Sequence, residues 1–251
     1  MVIHQIGMKL RQQIHYFSGE LSASLGKVST RFVEEMVYGI SSSGSVRLTE
    51  VSRALEEDIS QHATHKRLSR NLAREELEST IGENILKLGA SRINDRTLLI
   101  VDPSDLQKKY ARKMEYLARV RDGSEGSLGR GYWTCEVVGC EAGLKEIIPL
   151  AQELWSQDAP DFVSENEQVL SLVDRVRKAT GGKGVVVYDR GGDRRKLLIP
   201  WTKDASCRYL IRQRGDRYLR YRGKARSVSE LGELCKTPYG CTLIKEKKEE
   251  E

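Results

Sequence analysis

The sequence predicts an α/β fold, with a sheet-based core behind an all-α N-terminal region. Three observations carry this. Apolar residues recur at helical spacing up to about Leu88, the period changes from about Arg92, and two uninterrupted β-branched runs each close on an aspartate. The runs are Thr97-Leu98-Leu99-Ile100-Val101-Asp102 and Gly184-Val185-Val186-Val187-Tyr188-Asp189. An apolar run without alternation reads as a strand buried on both faces, as in the middle of a helix-covered sheet.

In the helical region Leu10, Ile14 and Phe17 fall at i, i+4 and i+7, and Phe32, Met36 and Ile40 repeat at four-residue steps. Ser41-Ser42-Ser43-Gly44-Ser45 interrupts the pattern with turn residues. Leu48, Val51 and Leu55 then mark a short helix with Thr49 as its cap. A second helix from near Ser60 to Leu77 carries His65, Lys66, Arg67, Arg70 and Arg74. A short helix, a break and a basic helix outline a helix-turn-helix, which makes Lys66, Arg67, Arg70 and Arg74 candidate DNA contacts. The break at Glu56-Glu57-Asp58 is acidic and has no glycine, and an ordinary amphipathic bundle is the alternative.

Beyond Arg92 the first strand ends on Asp102 and a polar helical stretch is expected from Leu106 to Leu117. Val120 to Ser127 is loop-like, Gly131 to Cys140 is a partly alternating strand, and Ile147-Ile148-Pro149-Leu150 is a short edge strand after a turn at Ala142-Gly143. Ser164-Glu165-Asn166-Glu167 caps a helix with Val169, Leu172, Val173 and Val176 on one face. Gly181-Gly182 stops that helix, and the strand to Asp189 follows. Three antiparallel strands, a crossover helix and a parallel strand are the topology of an RNase H-like core.

A carboxylate closing a buried strand stands where α/β folds bind ligands and metals. Hard divalent cations such as Mg²⁺ take oxygen ligands from one or two carboxylates together with phosphates. Asp102 and Asp189 are therefore the candidate metal-ligating pair, with a phosphodiester as the partner. Behind Asp189, Arg190-Gly191-Gly192-Asp193-Arg194-Arg195-Lys196 pairs glycines, which let a ligand approach the backbone, with cations that suit an anion.

The formal net charge is +6, a weak signal that its distribution strengthens. Arg208, Arg212, Arg214, Arg217, Arg220, Arg222, Lys224 and Arg226 are opposed only by Asp216 and interleaved with Tyr209, Tyr218 and Tyr221. Arginine forks match phosphate oxygens and tyrosines stack, so this segment reads as a nucleic-acid surface rather than a merely solvated hairpin. The cysteines Cys135, Cys140, Cys207, Cys235 and Cys241 form no CxxC pair and lie far from His62 and His65, against a zinc site. Neither a membrane-length apolar run nor a signal-peptide core is present, so a cytoplasmic, nucleoid-associated protein with reduced thiols is expected.

These motifs in this order resemble the insertion-sequence DDE transposases of bacteria, in the branch whose RNase H-like core is interrupted by a β-rich insertion. The resemblance spans nearly the whole chain. It rests on Ile100-Val101-Asp102 with Ser104-Asp105, Asp122-Gly123-Ser124 before Gly131-Tyr132, Ile148-Pro149-Leu150 and Ser164-Glu165-Asn166. The most specific matches are Tyr188-Asp189-Arg190-Gly191-x-Asp193 and Leu210-Ile211-Arg212-Gln213-Arg214-Gly215-Asp216-Arg217. Gly192 departs from the bulky residue usual there.

The resemblance implies Mg²⁺- or Mn²⁺-dependent DNA cleavage and strand transfer, with Asp102 and Asp189 as first and second carboxylates. Arg190, Arg194, Arg212, Arg214 and Arg217 join the helix cations as DNA contacts. The partners implied are double-stranded DNA, both transposon ends and target, and a second copy in a homodimeric DNA complex. The expected organisation is a helical DNA-binding region over 1–90, the first part of the core over 91–202, and the start of the insertion with a charged tail over 203–251. The family's third carboxylate, a glutamate on a later helix, falls beyond Glu251. The chain is thus expected to be a truncated transposase without independent catalytic competence. One alternative is a DNA-binding regulator that inhibits transposition, and another is a nuclease using Glu230.

Overall fold

The computed structural model describes residues 2–121, 123 and 126–234, with side chains from Gly7 onward. Asp122 and Ser124 of the expected motif, Cys235, Cys241 and the charged tail lie outside the described residues.

The helical region contains α1 (Val2–Leu21), α2 (Lys27–Ser43), α3 (Leu48–Ala54), α4 (Gln61–Leu72) and α5 (Glu76–Ala90). Leu21, Phe32, Val33, Val51, Leu68 and Leu77 form its core. The serine run does not break α2 where expected. The helix continues through Ser43 and ends at Gly44, whose φ of 63° is the left-handed value a helix terminator needs. Thr49 lies inside α3, whose N-cap is Arg47. The basic helix ends at Leu72, with Ser60 capping it by accepting the Ala63 N–H, and Leu77 belongs to α5.

The sheet is mixed. Strand β1 (Leu98–Gln107) is antiparallel to β3 (Leu128–Cys140) and parallel to β5 (Val185–Tyr188), which is parallel to β6 (Tyr209–Ile211). On the far side of β3 lie β2 (Ala118–Arg121) and β4 (Ile147–Trp155), both antiparallel to it. The crossover between β4 and β5 is α6 (Glu165–Ala179). Its Ser164 cap accepts the Glu167 N–H, and Gly181 and Gly182 end it with φ of 62° and 77°. After β5 come a single 3₁₀ turn (Arg190–Gly192) and α7 (Arg195–Lys203). Strands β7 (Tyr218–Tyr221) and β8 (Lys224–Ser227) form a separate hairpin closed by Arg222 and Gly223, both at positive φ, and α8 (Val228–Leu234) follows.

Three expectations change. The polar stretch after Asp102 forms no helix: β1 runs on to Gln107 because β3 is long enough to pair with it, as far as Gly131. The edge strand at Ile147 extends to Trp155, with a register shift opposite Val137/Val138 that leaves Leu150, next to Pro149, as the extra residue. The segment beyond 202 contributes β6 to the main sheet before the hairpin begins.

The two aspartate-ending strands are central, yet among the described residues helices cover only one of their faces. Leu99, Val101, Val186 and Tyr188 are buried against Val169, Leu172, Val173 and Val176 of α6 and Leu197 of α7. Helix α5 packs on β4 on the same side: a Cβ on Gly89 would lie 2.4 Å from the Pro149 carbonyl oxygen. On the opposite face Leu98, Ile100, Val138, Val185 and Val187 are half-buried, and Leu210 is 62% exposed. No described helix is long and apolar enough to cross a membrane.

Candidate active site

The last pair of the β1–β5 ladder is Val101↔Tyr188, so Asp102 and Asp189 are the next residues on adjacent parallel strands. Their backbones stand about 5 Å apart, the spacing of neighbouring strands. Both carboxylates are exposed. Alternation sends them to the half-open face, on the side of Ile100 and Val187.

Pro103 explains why the parallel pairing stops there. The Val185 N–H donates to the Thr97 carbonyl, so the odd-numbered residues of β1 point their backbone groups at β5, and Pro103 offers no N–H on that edge. The chain turns immediately after Asp189. The Asp189 Oδ1 accepts the Gly191 N–H at 2.7 Å, capping the 3₁₀ turn and leaving Oδ2 for another partner. Glycine is required twice in that turn. A Cβ at Gly191 would lie 2.9 Å from Asp189 Oδ1, and one at Gly192 would lie 2.7 Å from the Tyr188 ring. The space a bulky residue would need at 192 is filled by Tyr188.

Register extends the row in both directions. Glu136 of β3 pairs with Asp102, Gln152 of β4 pairs with Glu136, and Arg212 follows the Tyr188↔Ile211 pair on β6. The end of the sheet therefore reads Gln152–Glu136–Asp102–Asp189–Arg212 across five strands. Gln152 Nε2 donates to Thr134 Oγ1 at 3.1 Å and to Glu136 Oε1 at 3.4 Å. Glu136 is the residue the sequence reading missed. The alternation of Gly131 to Cys140 turns it outward, but its place opposite Asp102 needs the β1–β3 register.

Below Asp102, the Cys135 thiol is pushed up to about 12 by burial and then by the negative charge of Asp102, which leaves it inert. Burial likewise raises the Tyr188 hydroxyl, with Cys135 adding to the effect. Exposed oxygen ligands on neighbouring strands fit a hard divalent cation. Among the described residues no three His, Cys, Asp or Glu side chains gather into a ligand set. Glu230 instead accepts the Ser227 N–H at 2.9 Å while its own N–H donates to Ser227 Oγ, a capping box for α8.

The proposed DNA-contact cations divide into two groups. Arg67 bridges Glu35 at 2.5 Å and Glu57 at 2.8 Å inside the bundle. Arg74 pairs with Glu76, Arg194 with Glu165 and Arg217 with Asp193. Lys66, Arg70, Arg190, Arg212 and Arg214 are exposed and form no ion pair among the described residues. In the hairpin, Tyr218, Tyr221, Arg220, Arg222 and Lys224 are exposed, and the Arg222 guanidinium lies 5.3 Å from the Tyr221 ring centre.

No protein-family model matches the chain, and no curated protein does.

Proposed function

We propose that the chain is a DNA transposase that binds transposon-end duplex and uses Asp102 and Asp189 in metal-dependent strand cleavage and transfer. The observation that carries this is the register that sets Asp102 beside Asp189 at the end of two parallel strands. The strand order β4-β3-β1-β5-β6 supports it, because antiparallel strands, a crossover helix and then parallel strands are the order of an RNase H-like core.

In this reading Asp102 and Asp189 hold Mg²⁺ or Mn²⁺, with Asp189 oriented by the Gly191 N–H. A bound divalent ion supplies activation of water or a 3′-hydroxyl and charge stabilisation of the leaving oxygen. Arg190 and Arg212 flank Asp189 and receive the phosphate entering the row, and Lys66 and Arg70 follow the duplex backbone from α4.

The test is binding of the purified chain to a random-sequence duplex across a salt series, with Mn²⁺ binding followed by electron paramagnetic resonance. The expected result is duplex binding whose log–log salt slope falls by about one for each phosphate contact removed among Lys66, Arg70, Arg190 and Arg212. Asp102→Asn or Asp189→Asn should also weaken Mn²⁺ binding. No duplex binding at low salt, or Mn²⁺ binding indifferent to both aspartates, would overturn the proposal.

A further inference from the structure

Among the described residues, the buried side chains of α1 lie at its C-terminal end, and His15 reaches Glu34 of α2 at 2.9 Å. Ser18, Leu21 and Ser22 are buried, and Asn84 donates to the carbonyls of Leu21 and Ala23 at 2.9 and 3.0 Å. Nearer the N-terminus Leu10 is 54% and Phe17 50% exposed. Leu10, Ile14, Phe17 and Leu21 are separated by steps of three or four, which lines them along one narrow stripe of the helix. The bundle uses Leu21 and half-buries Ile14, but leaves Leu10 and Phe17 to solvent. A stripe at this spacing is a seam for a second helix, and a helix projecting from its bundle gains little stability without one.

We propose that α1 pairs antiparallel with α1 of a second copy of this chain, closing a two-fold dimer centred between Gln13 and Ile14. Charge selects both the occupant and the direction. Lys9 and Glu20 lie on the same flank of the stripe, and neither makes an ion pair among the described residues. In the antiparallel arrangement Leu10 meets Phe17 of the second copy, and Lys9 comes within reach of its Glu20. Both contacts occur twice, as an isologous interface requires. In a parallel pair each flank faces the partner's opposite flank, so Lys9 and Glu20, which share a flank, would not meet. Uncharged Gln13 borders the seam at the axis, so no like charges meet there on that flank.

The test is sedimentation equilibrium of the full chain without DNA, so its outcome is independent of the transposase reading. A dimer is expected, weakened about tenfold or more by Leu10→Glu and by Lys9→Glu, with association regained when Lys9→Glu is combined with Glu20→Lys. Leu10 and Lys9 are exposed, so these variants should keep the bundle folded, with any loss of helix content by circular dichroism no larger than α1 contributes. Under mild oxidation Gln13→Cys, beside the axis, should yield a disulfide-linked dimer absent from the unsubstituted chain, and Gly7→Cys should not. A monomer at every concentration, or a dimer indifferent to Leu10→Glu, would overturn the interface. Failure of the charge exchange to restore association would overturn its antiparallel direction.

Discussion

Asp193 joins two segments that lie apart in sequence, the turn after Asp189 and the cationic hairpin. Its side chain is fully buried, pairs with Arg217 and accepts the Arg214 N–H at 2.8 Å, while Arg217 Nη2 donates to the Asp193 carbonyl at 2.8 Å. Burial pushes its carboxyl up, but the Arg214 N–H and the Arg217 guanidinium outweigh this and hold it below the usual carboxylate range. A group depressed in the folded state contributes stability that is complete above its unfolded pKa and is lost as pH falls through the folded value. The hairpin should therefore loosen in acid, with amide exchange across β7 and β8 rising once pH falls below about 4. Asp193→Ala should cost about 3 kcal/mol by leaving Arg217 without its partner, read from urea unfolding. Gly192→Ala, whose Cβ would press on the Tyr188 ring, should cost about 1–3 kcal/mol in the same measurement and displace Asp189 with it. A neutral Gly192→Ala would mean that Tyr188 moves aside freely.

At the scale of elements, α4 has one face tied into the bundle and one exposed cationic face carrying Lys66 and Arg70. Thr64 and Leu68 are buried, and Arg67 spans Glu35 of α2 and Glu57 of the preceding turn, which also accepts the Thr64 hydroxyl at 2.8 Å. Glu57 is pushed up by burial but held below the usual carboxylate range by Arg67 and Thr64. Arg67→Ala is expected to cost about 1–2 kcal/mol of stability by leaving Glu35 and Glu57 with only the exposed Arg31 as ion-pair partner, measured by thermal unfolding. Lys66→Ala with Arg70→Ala should leave stability within about 0.5 kcal/mol and reduce the DNA salt slope by about two. The opposite pattern would mean that α4 presents its other side to DNA. Sequence periodicity could identify this helix but not divide its cations, because the charges that claim Arg67 come from α2 and the α3–α4 turn. The same limit explains other departures. Asp102 and Asp189 were legible because each ends a β-branched run, and the Ser164 cap and Gly181-Gly182 stop because their chemistry is local. The length of β1 depended on how far β3 runs beside it, and Glu136 acquires its place only through pairing. Covering both faces of the central strands also needed a second helical layer, which the described residues do not contain.

At the scale of the whole molecule, the sheet brings three carboxylates into one row: Glu136 opposite Asp102, and Asp102 beside Asp189. Like charges on directly opposed residues destabilise a sheet, so the row costs folding free energy when no cation neutralises it. A divalent ion bound by the folded chain and not the unfolded one adds stability, about 1.4 kcal/mol at ten times its dissociation constant. The two effects predict a crossing pattern in thermal unfolding. In chelator, Asp102→Asn should unfold at a higher temperature than the unsubstituted chain, because it relieves repulsion from both neighbours. With added Mn²⁺ the unsubstituted chain should gain stability and Asp102→Asn should gain little, while Glu136→Gln retains most of the gain because Asp102 and Asp189 remain. Chelator should reverse every cation-dependent shift. Equal gains in the unsubstituted chain and Asp102→Asn would place the cation elsewhere and remove the metal from the candidate site.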